Sequence, residues 1–363
     1  MATMSFFEGF SDPALAKTLV RAIENHNVRG DINLMEVCGT HTVSIARAGI
    51  KSILPANVHL TSGPGCPVCV TANADIDKII ALAKLPDVII ATFGDMVRVP
   101  GSTSSLLDQQ AKGADVRIVY SPLDALEIAE ENKNKEVVFV GVGFETTTPL
   151  IAATIKRAAE KRLKNFSVIA FHKNMPGALE TIVNDEKVQV DGLILPGHVS
   201  VIIGLHPYEF LAEKYHIPGV VTGFEPVDIL RGVEMLVAQI ANGEAKTENA
   251  YSRAVGENGN VAAMAAIDEV FDTCDAQWRG IGTISGSGFA IKPDFAQFDA
   301  EKRFSLDVEE TVEPKGCKCG DVLRGVIPPS ECPLFRKVCT PENPVGPCMV
   351  SSEGSCAAYY RYY

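Results

Sequence analysis

The sequence of 363 residues predicts an α/β protein built on parallel sheets. From about residue 31 to residue 240 it repeats one pattern, a short apolar strand, a loop of small residues and a helical segment, and this pattern is typical of βα units. Several strands are β-branched runs with polar flanks, as expected of strands buried on both faces of a parallel sheet. We therefore expect two doubly wound, Rossmann-like lobes that face a cleft.

Eight strands are predicted in this region, and helical periodicity fills the intervals between them. The strands cover residues 34–37, 58–61, 88–92, 116–120, 137–142, 168–171, 192–195 and 220–222. The clearest helices cover residues 75–84, 104–112, 122–131, 149–161 and 226–241. A polar stretch at 129–136 has four strands on each side. We expect the boundary between the lobes there, which gives 31–130 for lobe I and 131–240 for lobe II.

Composition excludes several classes of function. The chain has 33 basic and 45 acidic residues, a formal charge of −12, and no lysine- or arginine-rich tract, which argues against nucleic acid as a partner. No apolar run approaches the ~18 residues that span a bilayer, and the first residues lack the features of a signal peptide. We expect a cytoplasmic protein with no membrane partner.

Polar residues of functional type follow the predicted strands. The loops concerned begin at Cys38, Ser62, Phe93, Gly143, His172, Pro196 and Gly223. In open α/β sheets ligands bind at the carboxyl ends of the strands, where the strand order reverses. We therefore expect these loops to line the cleft.

Three cysteines in these loops form the first candidate site. Cys66 and Cys69 make a CxxC between a strand and a helix, where helix amides stabilise a thiolate. Cys38 ends another strand, and His41 follows three residues later. Three sulfurs and an imidazole suit metal ligation or thiol–disulfide exchange. The isolated Cys274 is interpreted as a small buried hydrophobic residue.

The second candidate site is the cysteine-rich tail. Six of the ten cysteines lie in the last 47 residues, at positions Cys317, Cys319, Cys332, Cys339, Cys348 and Cys356. Zinc modules usually pair CxxC or histidine knuckles, whereas this tail has one CxC, no CxxC and no histidine. An iron–sulfur cluster held by four of the six is therefore favoured over zinc. Spacing alone leaves the ligand set open between Cys317, Cys332, Cys339 and Cys356 and the set Cys319, Cys332, Cys339 and Cys348.

Several long motifs occur in a fixed order along the chain. They are CGTHT at 38–42, GPGCPVC at 63–69, TFGDMVRVPG at 92–101, GFETT at 143–147, PGHVS at 196–200 and GFEP at 223–226. Together with the tail spacing Cx14Cx6Cx16C, they resemble the HypD family of nickel–iron hydrogenase maturation proteins. The resemblance extends from about residue 13 to the end of the chain.

This resemblance implies a third, smaller iron–sulfur domain, formed by residues 241–363 with the N-terminal helix in 1–30. It implies that a 4Fe-4S cluster is held by the signature cysteines, Cys317, Cys332, Cys339 and Cys356. Cys319 and Cys348 are then left as a redox pair that relays electrons.

The resemblance also implies the roles of the cleft residues. Cys38 is the main anchor of a mononuclear iron, Cys66 and Cys69 are further ligands or a redox pair, and His41 ligates iron or transfers protons. The iron would carry two cyanides and one carbon monoxide, with a HypC-type small partner and a HypE-type cyanide donor. Two functions remain in competition, an assembly scaffold with redox activity and an iron–sulfur-dependent thiol–disulfide oxidoreductase that acts on a protein substrate.

Overall fold

The computed structural model describes residues 12–363, and the eight predicted strands are confirmed with small shifts at their ends. The strands are β1 Ile32–Glu36, β2 Val58–Ser62, β3 Val88–Thr92, β4 Asp115–Ile118, β5 Glu136–Gly141, β6 Phe166–Ala170, β7 Gly192–Pro196, β8 Gly219–Thr222, β9 Thr247–Asn249, β10 Phe271–Trp278 and β11 Gly282–Ile291. The last three were not predicted from the sequence. β10 and β11 form an antiparallel hairpin.

The five predicted helices are also present, as α4, α5, α6, α7 and α11. The helices are α1 Pro13–Asn25, α2 Gly39–Arg47, α3 Pro67–Val70, α4 Asn73–Ala83, α5 Leu106–Ala111, α6 Asp124–Glu131, α7 Thr148–Glu160, α8 Met175–Val183, α9 Gly197–Ile203, α10 Glu209–Tyr215, α11 Pro226–Asn242, α12 Val261–Val270, α13 Ala300–Arg303, α14 Cys319–Leu323, α15 Pro347–Val350 and α16 Ser355–Tyr362. The repeated βα pattern thus gives an α/β fold.

The strands of the two lobes form two parallel sheets. The first has the order β2-β1-β7-β8-β9 and the second the order β4-β3-β5-β6, and every pairing within them is parallel. The strand order of the first sheet reverses between β1 and β7, and that of the second between β3 and β5. These two reversals are the places where doubly wound sheets bind ligands.

The predicted lobe boundary at 129–136 is wrong. This stretch runs from the end of α6 into β5, and β5 pairs with β3, with Val88 opposite Glu136. The first lobe contains β1 and β2 and then β7 to β9, while β3 to β6 form the second lobe between them. The ranges 31–130 and 131–240 therefore do not correspond to the lobes. Polarity marks the surface end of a helix, whereas strand pairing depends on residues far away in the chain.

The prediction that the N-terminal helix belongs to the third domain is also wrong for residues 12–30. Residues 1–11 of the predicted range lie outside the described residues. α1 packs on α11, and Ile23 is buried with Ile229 and Leu230 in the core of the first lobe. The cysteine-rich tail instead packs on the cleft, because α15 contacts α3 and α16 contacts α2. Within residues 12–363, no helix is both long and apolar enough to cross a membrane.

Candidate metal and redox site

A cavity of about 390 Å³ lies at the strand reversal of the first sheet, and we call it the cleft cavity. Cys38 after β1 and His198 after β7 lie on one side of it, Phe144 and Thr147 of the second lobe line another, and Glu353 of the tail contributes a carboxylate. The expectation that strand-end loops meet in a cleft is therefore supported for these loops. The two lobes and the tail each contribute residues to this cavity.

Cys38 is the N-cap of α2 and lines the cleft cavity. Its backbone N–H donates to Glu36 Oε2 at 3.1 Å. Burial, reinforced by the charge of Glu353, raises the pKa of the Cys38 thiol to about 12. The thiol is therefore protonated in the free protein, and a metal that binds there must displace the proton.

Glu36 is a buried carboxyl group directly below Cys38. Its Oε1 accepts a hydrogen bond from Thr42 Oγ1 at 2.5 Å, and only 1% of the residue is exposed. Burial raises its pKa to about 7, although hydrogen bonds from Thr42 and Ser62 act in the opposite direction. The first turn of α2 is thus tied to the last residue of β1.

Glu36→Gln should make the protein relatively more stable as the pH rises. The pKa of Glu36 is raised from 4.5 to about 7, so its contribution to stability is present below pH 4.5 and is lost as the pH rises to about 7. Glutamine does not titrate, so the variant lacks this loss of stability. The free energy of unfolding of the variant minus that of the wild type should therefore increase by about 3 kcal/mol as the pH rises through this range. Urea denaturation at several pH values measures this. Glu186→Gln, at an exposed position, is the control, and a flat difference for Glu36→Gln would contradict the prediction.

His41 does not join Cys38 in lining the cleft cavity. Its Nε2 donates to the carbonyl oxygen of Gly223 at 2.8 Å and lies 2.9 Å from Thr222 Oγ1, while its Nδ1 has no partner among residues 12–363. Burial lowers its pKa to about 4. Phe224 lies between two histidine rings, 4.7 Å from that of His41 and 3.9 Å from that of His198. His41 thus fixes α2 to the loop after β8.

Cys66 and Cys69 form a disulfide at the start of α3, with their Cα atoms 5.2 Å apart. Both cysteines are buried, and Pro67 between them lines the cleft cavity. The loop before α3 contacts the Cys38 loop directly, because Gly39 N–H donates to Gly65 O at 3.1 Å. The folded chain therefore brings the two front cysteine motifs together.

Gly65→Ala should destabilise the protein strongly. A Cβ at this position would overlap the backbone of Cys38 and the carbonyl carbon of Val37, so the two loops would have to separate, at a cost of about 3 kcal/mol. Thermal and urea unfolding measure the change. Gly256→Ala is the matched control, because a Cβ there meets no atom within 4 Å. Equal stabilities of the two variants would show that the loops are not in contact.

The six tail cysteines line a second, small cavity, the cysteine cavity. Its other walls include Leu334, Phe335 and Met349. Two of the sulfurs, Cys319 Sγ and Cys348 Sγ, lie 3.2 Å apart. The sequence-predicted tail site is thus brought together in space, although the six cysteines are spread over 40 residues from position 317 to position 356.

The donor set fits a sulfur-ligated cluster better than a single ion. Among residues 12–363, no three His, Cys, Asp or Glu side chains are grouped as ligands of one metal ion. A multi-iron cluster is held by thiolates that lie farther apart, and soft sulfur donors in an apolar cavity suit iron–sulfur chemistry. The resemblance noted in the sequence assigns such a cluster to Cys317, Cys332, Cys339 and Cys356, and all four line the cysteine cavity.

The two cysteine groups are linked through α15. Cys69 Sγ lies 3.8 Å from the carbonyl oxygen of Pro347, and the next residue is Cys348. Cys66, Cys69, Cys319 and Cys348 belong to one hydrophobic cluster. Cys69 of the cleft disulfide therefore contacts the first residue of α15, the short helix that carries Cys348.

Sequence analysis did not identify two candidate functional residues, Glu353 and Glu36. Glu353 lies in the tail, yet its Oε1 accepts a hydrogen bond from Thr40 Oγ1 at 2.7 Å beside Cys38. Glu36 precedes the first motif, and the local sequence there indicates only the end of a strand. The position of Glu353 between two tail cysteines is its only signal in the sequence, and only the fold brings it to Thr40 and into the lining that contains Cys38. Cys274 is partly buried in β10 and stands apart from both cysteine groups.

Relatives with functional descriptions resemble the chain along nearly its whole length. Hydrogenase maturation factor HypD of Rhodobacter capsulatus is 46% identical over 99% of this chain and 98% of its own. The factor of the same name from Cupriavidus necator is 45% identical over 99% and 97%, and hydrogenase expression/formation protein HupD of Azotobacter chroococcum is 45% identical over 99% and 97%.

Among solved structures, a D-threo-3-hydroxyaspartate dehydratase from a Delftia species is 12% identical over 86% of this chain, with a TM-score of 0.14. This value is too low to support an argument.

The model of the family described as "HypD: Hydrogenase formation hypA family" matches residues 14–363. With this match and relatives at 44 to 46% identity, the chain belongs to the HypD family of hydrogenase maturation factors.

Proposed function

We propose that this protein is the scaffold on which the iron centre of nickel–iron hydrogenases, with two cyanides and one carbon monoxide, is assembled. The iron is a substrate that Cys38 anchors, with Cys66 and Cys69 as further ligands or as an electron source. The observation that carries the proposal is the cleft cavity, where Cys38 and the disulfide loop meet beside a carboxylate of the cysteine-rich tail.

The partners follow from this role. A HypC-type small protein would bring or stabilise the iron at the cleft cavity, and a HypE-type protein would deliver cyanide to it. The cavity is partly open to solvent and takes residues from both lobes, which suits access by such partners. Eight cysteines are free thiols in the described chain, and free thiols are typical of a reducing compartment. We therefore place the assembly in the cytoplasm.

Thiolate chemistry explains why iron would bind at Cys38. Iron with cyanide and carbon monoxide requires soft donors, and a cysteine thiolate is one. Because burial and Glu353 hold the pKa of Cys38 at about 12, an incoming cation must displace the proton and replace it as the neutralising charge. An iron that binds there is retained mainly by sulfur rather than by hard oxygen ligands.

Cyanide delivery as a protein thiocyanate requires two electrons. The Cys66 and Cys69 dithiol supplies them when its two S–H bonds are lost and a disulfide forms, while the S–CN bond of the donor breaks to give a thiol and hydrogen cyanide. That step would leave Cys66 and Cys69 joined as a disulfide, a bond that their positions in the structure allow. In this proposal the tail pair, Cys319 and Cys348, reduces that disulfide, because Cys348 follows Pro347, whose carbonyl oxygen lies 3.8 Å from Cys69 Sγ.

A 4Fe-4S cluster in the cysteine cavity would supply electrons to this relay. Cys319 and Cys348 are the weaker candidates for its ligands, because their sulfurs are in contact at 3.2 Å, closer than ligands on different irons. This contact favours Cys317, Cys332, Cys339 and Cys356 as the ligand set.

Infrared spectroscopy of the protein purified with its two partners tests the proposal. Cyanide and carbonyl stretches on iron are expected if the protein is a scaffold.

The second candidate function, a thiol–disulfide oxidoreductase acting on a protein substrate, is favoured by the disulfide next to the cleft cavity. It would be supported by efficient reduction of a partner disulfide in the absence of those stretches.

A further inference from the structure

A second large cavity is lined by the end of β6 and by the β10–β11 hairpin, and we call it the side cavity. Its volume is about 380 Å³, and among residues 12–363 it shares no lining residue with the cleft cavity. α4 contributes Asp75 to its wall, the loop after β6 contributes Lys173, and β10 contributes Cys274. A cavity of this size accommodates a small metabolite.

Lys173 is a buried cation at the wall of the side cavity. Only 2% of the residue is exposed, and its Nζ lies 5.7 Å from the centroid of the Trp278 ring. The distance from Nζ to Asp75 Oδ2 is 3.7 Å, which is longer than a normal hydrogen bond. Because an ammonium has three donors, this ion pair leaves hydrogen-bonding capacity that a molecule in the cavity can use.

The neighbouring His172 also has unused hydrogen-bonding atoms. It lines the side cavity and is 1% exposed, and neither Nδ1 nor Nε2 has a partner among residues 12–363. Buried polar side chains are ordinarily satisfied by protein groups or by a bound molecule. Two adjacent buried side chains with unsatisfied polar atoms therefore favour a polar occupant of the cavity over an apolar one.

Gly288 keeps the space between Lys173 and Cys274 open. It pairs with Cys274 across the hairpin and forms a bridge with Lys173 on its other side. Residues paired in this way have their side chains on one face of the sheet. A Cβ on Gly288 would lie 2.8 Å from Ala276 Cβ and 3.1 Å from Cys274 Sγ, so any side chain there would fill part of this space.

The charges around the side cavity favour a ligand with no net charge. Its lining contains six charged residues, and five of them belong to ion pairs. These pairs are Lys173 with Asp75, Lys78 with Glu301, and Lys302 with Asp299. The sixth residue, Asp275, has no ion pair within the described chain and makes the lining slightly negative. A ligand with a net negative charge would therefore bring an uncompensated charge into the cavity, which is unfavourable.

We propose that the side cavity binds a free α-amino acid, with its carboxylate on Lys173 and its ammonium on Asp75. The two ligand charges are attached to one carbon atom, so they match two protein charges that lie only 3.7 Å apart. Such a zwitterion provides an acceptor for the unused donors of Lys173 without changing the charge of the cavity. This inference goes beyond the proposed function and does not rest on the iron chemistry of the cleft cavity.

Thermal unfolding of the full chain in the presence of each common L-amino acid tests the proposal. At least one amino acid should raise the melting temperature, because a ligand that binds only the folded state stabilises it. For the strongest binder, calorimetry with its deaminated and its decarboxylated counterpart should each show a loss of affinity of about 10 to 100-fold, as expected for a lost hydrogen bond to a charged group. Stabilisation by no amino acid, or equal affinity for the deaminated acid, would overturn the proposal.

The double variant Lys173→Met with Asp75→Asn removes both charges and leaves neither buried without its partner. It should lose binding, whereas Lys187→Met, at an exposed position outside the side cavity, should bind as the wild type does. Wild-type affinity in the double variant would refute the site.

Alkylation of the wild-type protein gives a test that does not depend on the folding of a variant. The bound amino acid should protect Cys274, which lines the side cavity, and should leave the alkylation of Cys38 in the cleft cavity unchanged. Mass spectrometry of the two cysteine peptides measures both rates. Equal alkylation of Cys274 with and without a saturating amino acid would show that the ligand binds elsewhere and would also overturn the proposal.

Discussion

Cys38→Ser is expected to abolish the cyanide-bearing iron centre. The serine hydroxyl is hard and far less acidic than a thiol, so it cannot replace a soft thiolate as the iron anchor. Among the described residues that line the cleft cavity, Cys38 is the only cysteine, and Met175 carries the only other sulfur atom. Infrared spectroscopy of the variant purified with its partners should therefore show no cyanide or carbonyl stretches.

The controls separate loss of the site from loss of the fold. Cys274→Ser changes a cysteine in β10, away from both cysteine groups, and should retain the iron centre. Circular dichroism and cluster absorption should be normal in both variants. Because His41 fixes α2 without lining the cleft cavity, His41→Ala should weaken iron binding by only ~10 to 100-fold. Wild-type stretches in Cys38→Ser would refute the scaffold mechanism.

Replacement of any signature cysteine of the tail by Ala should bleach the brown cluster absorption and loosen the tail. These residues are Cys317, Cys332, Cys339 and Cys356. The tail has short helices and few apolar side chains of its own, so a bound cluster would substitute for a hydrophobic core. Ultraviolet–visible spectra and limited proteolysis measure the two effects.

Cys348→Ala is the matched comparison, because Cys348 lines the same cavity but pairs with Cys319. This variant should keep the colour. Loss of colour in Cys348→Ala and Cys319→Ala, with colour retained in Cys317→Ala and Cys356→Ala, would instead assign the cluster to Cys319, Cys332, Cys339 and Cys348.

The strands of the two parallel sheets and the cysteine motifs could be predicted from the local sequence. β3 and β5 are β-branched runs that are buried along almost their whole length, and such runs are recognisable without knowledge of their neighbours. The hairpin of β10 and β11 was not found. β10 carries two aspartates and a glutamine in eight residues, and only its end residues, Phe271 and Trp278, are buried, so its strand character depends on pairing with β11 and on the burial of Trp278.

The sequence by itself determined the α/β class, the cysteine motifs and membership of the HypD family, because periodicity and short spacings are properties of neighbouring residues. Tertiary structure decided which strands pair, and it placed β1 beside β7 rather than in a lobe that ends at residue 130. It also buried His41 outside the cleft cavity and brought Glu353 of the tail to Thr40 in the Cys38 loop. Such contacts join residues far apart in the chain, and only the packing of the whole fold selects them.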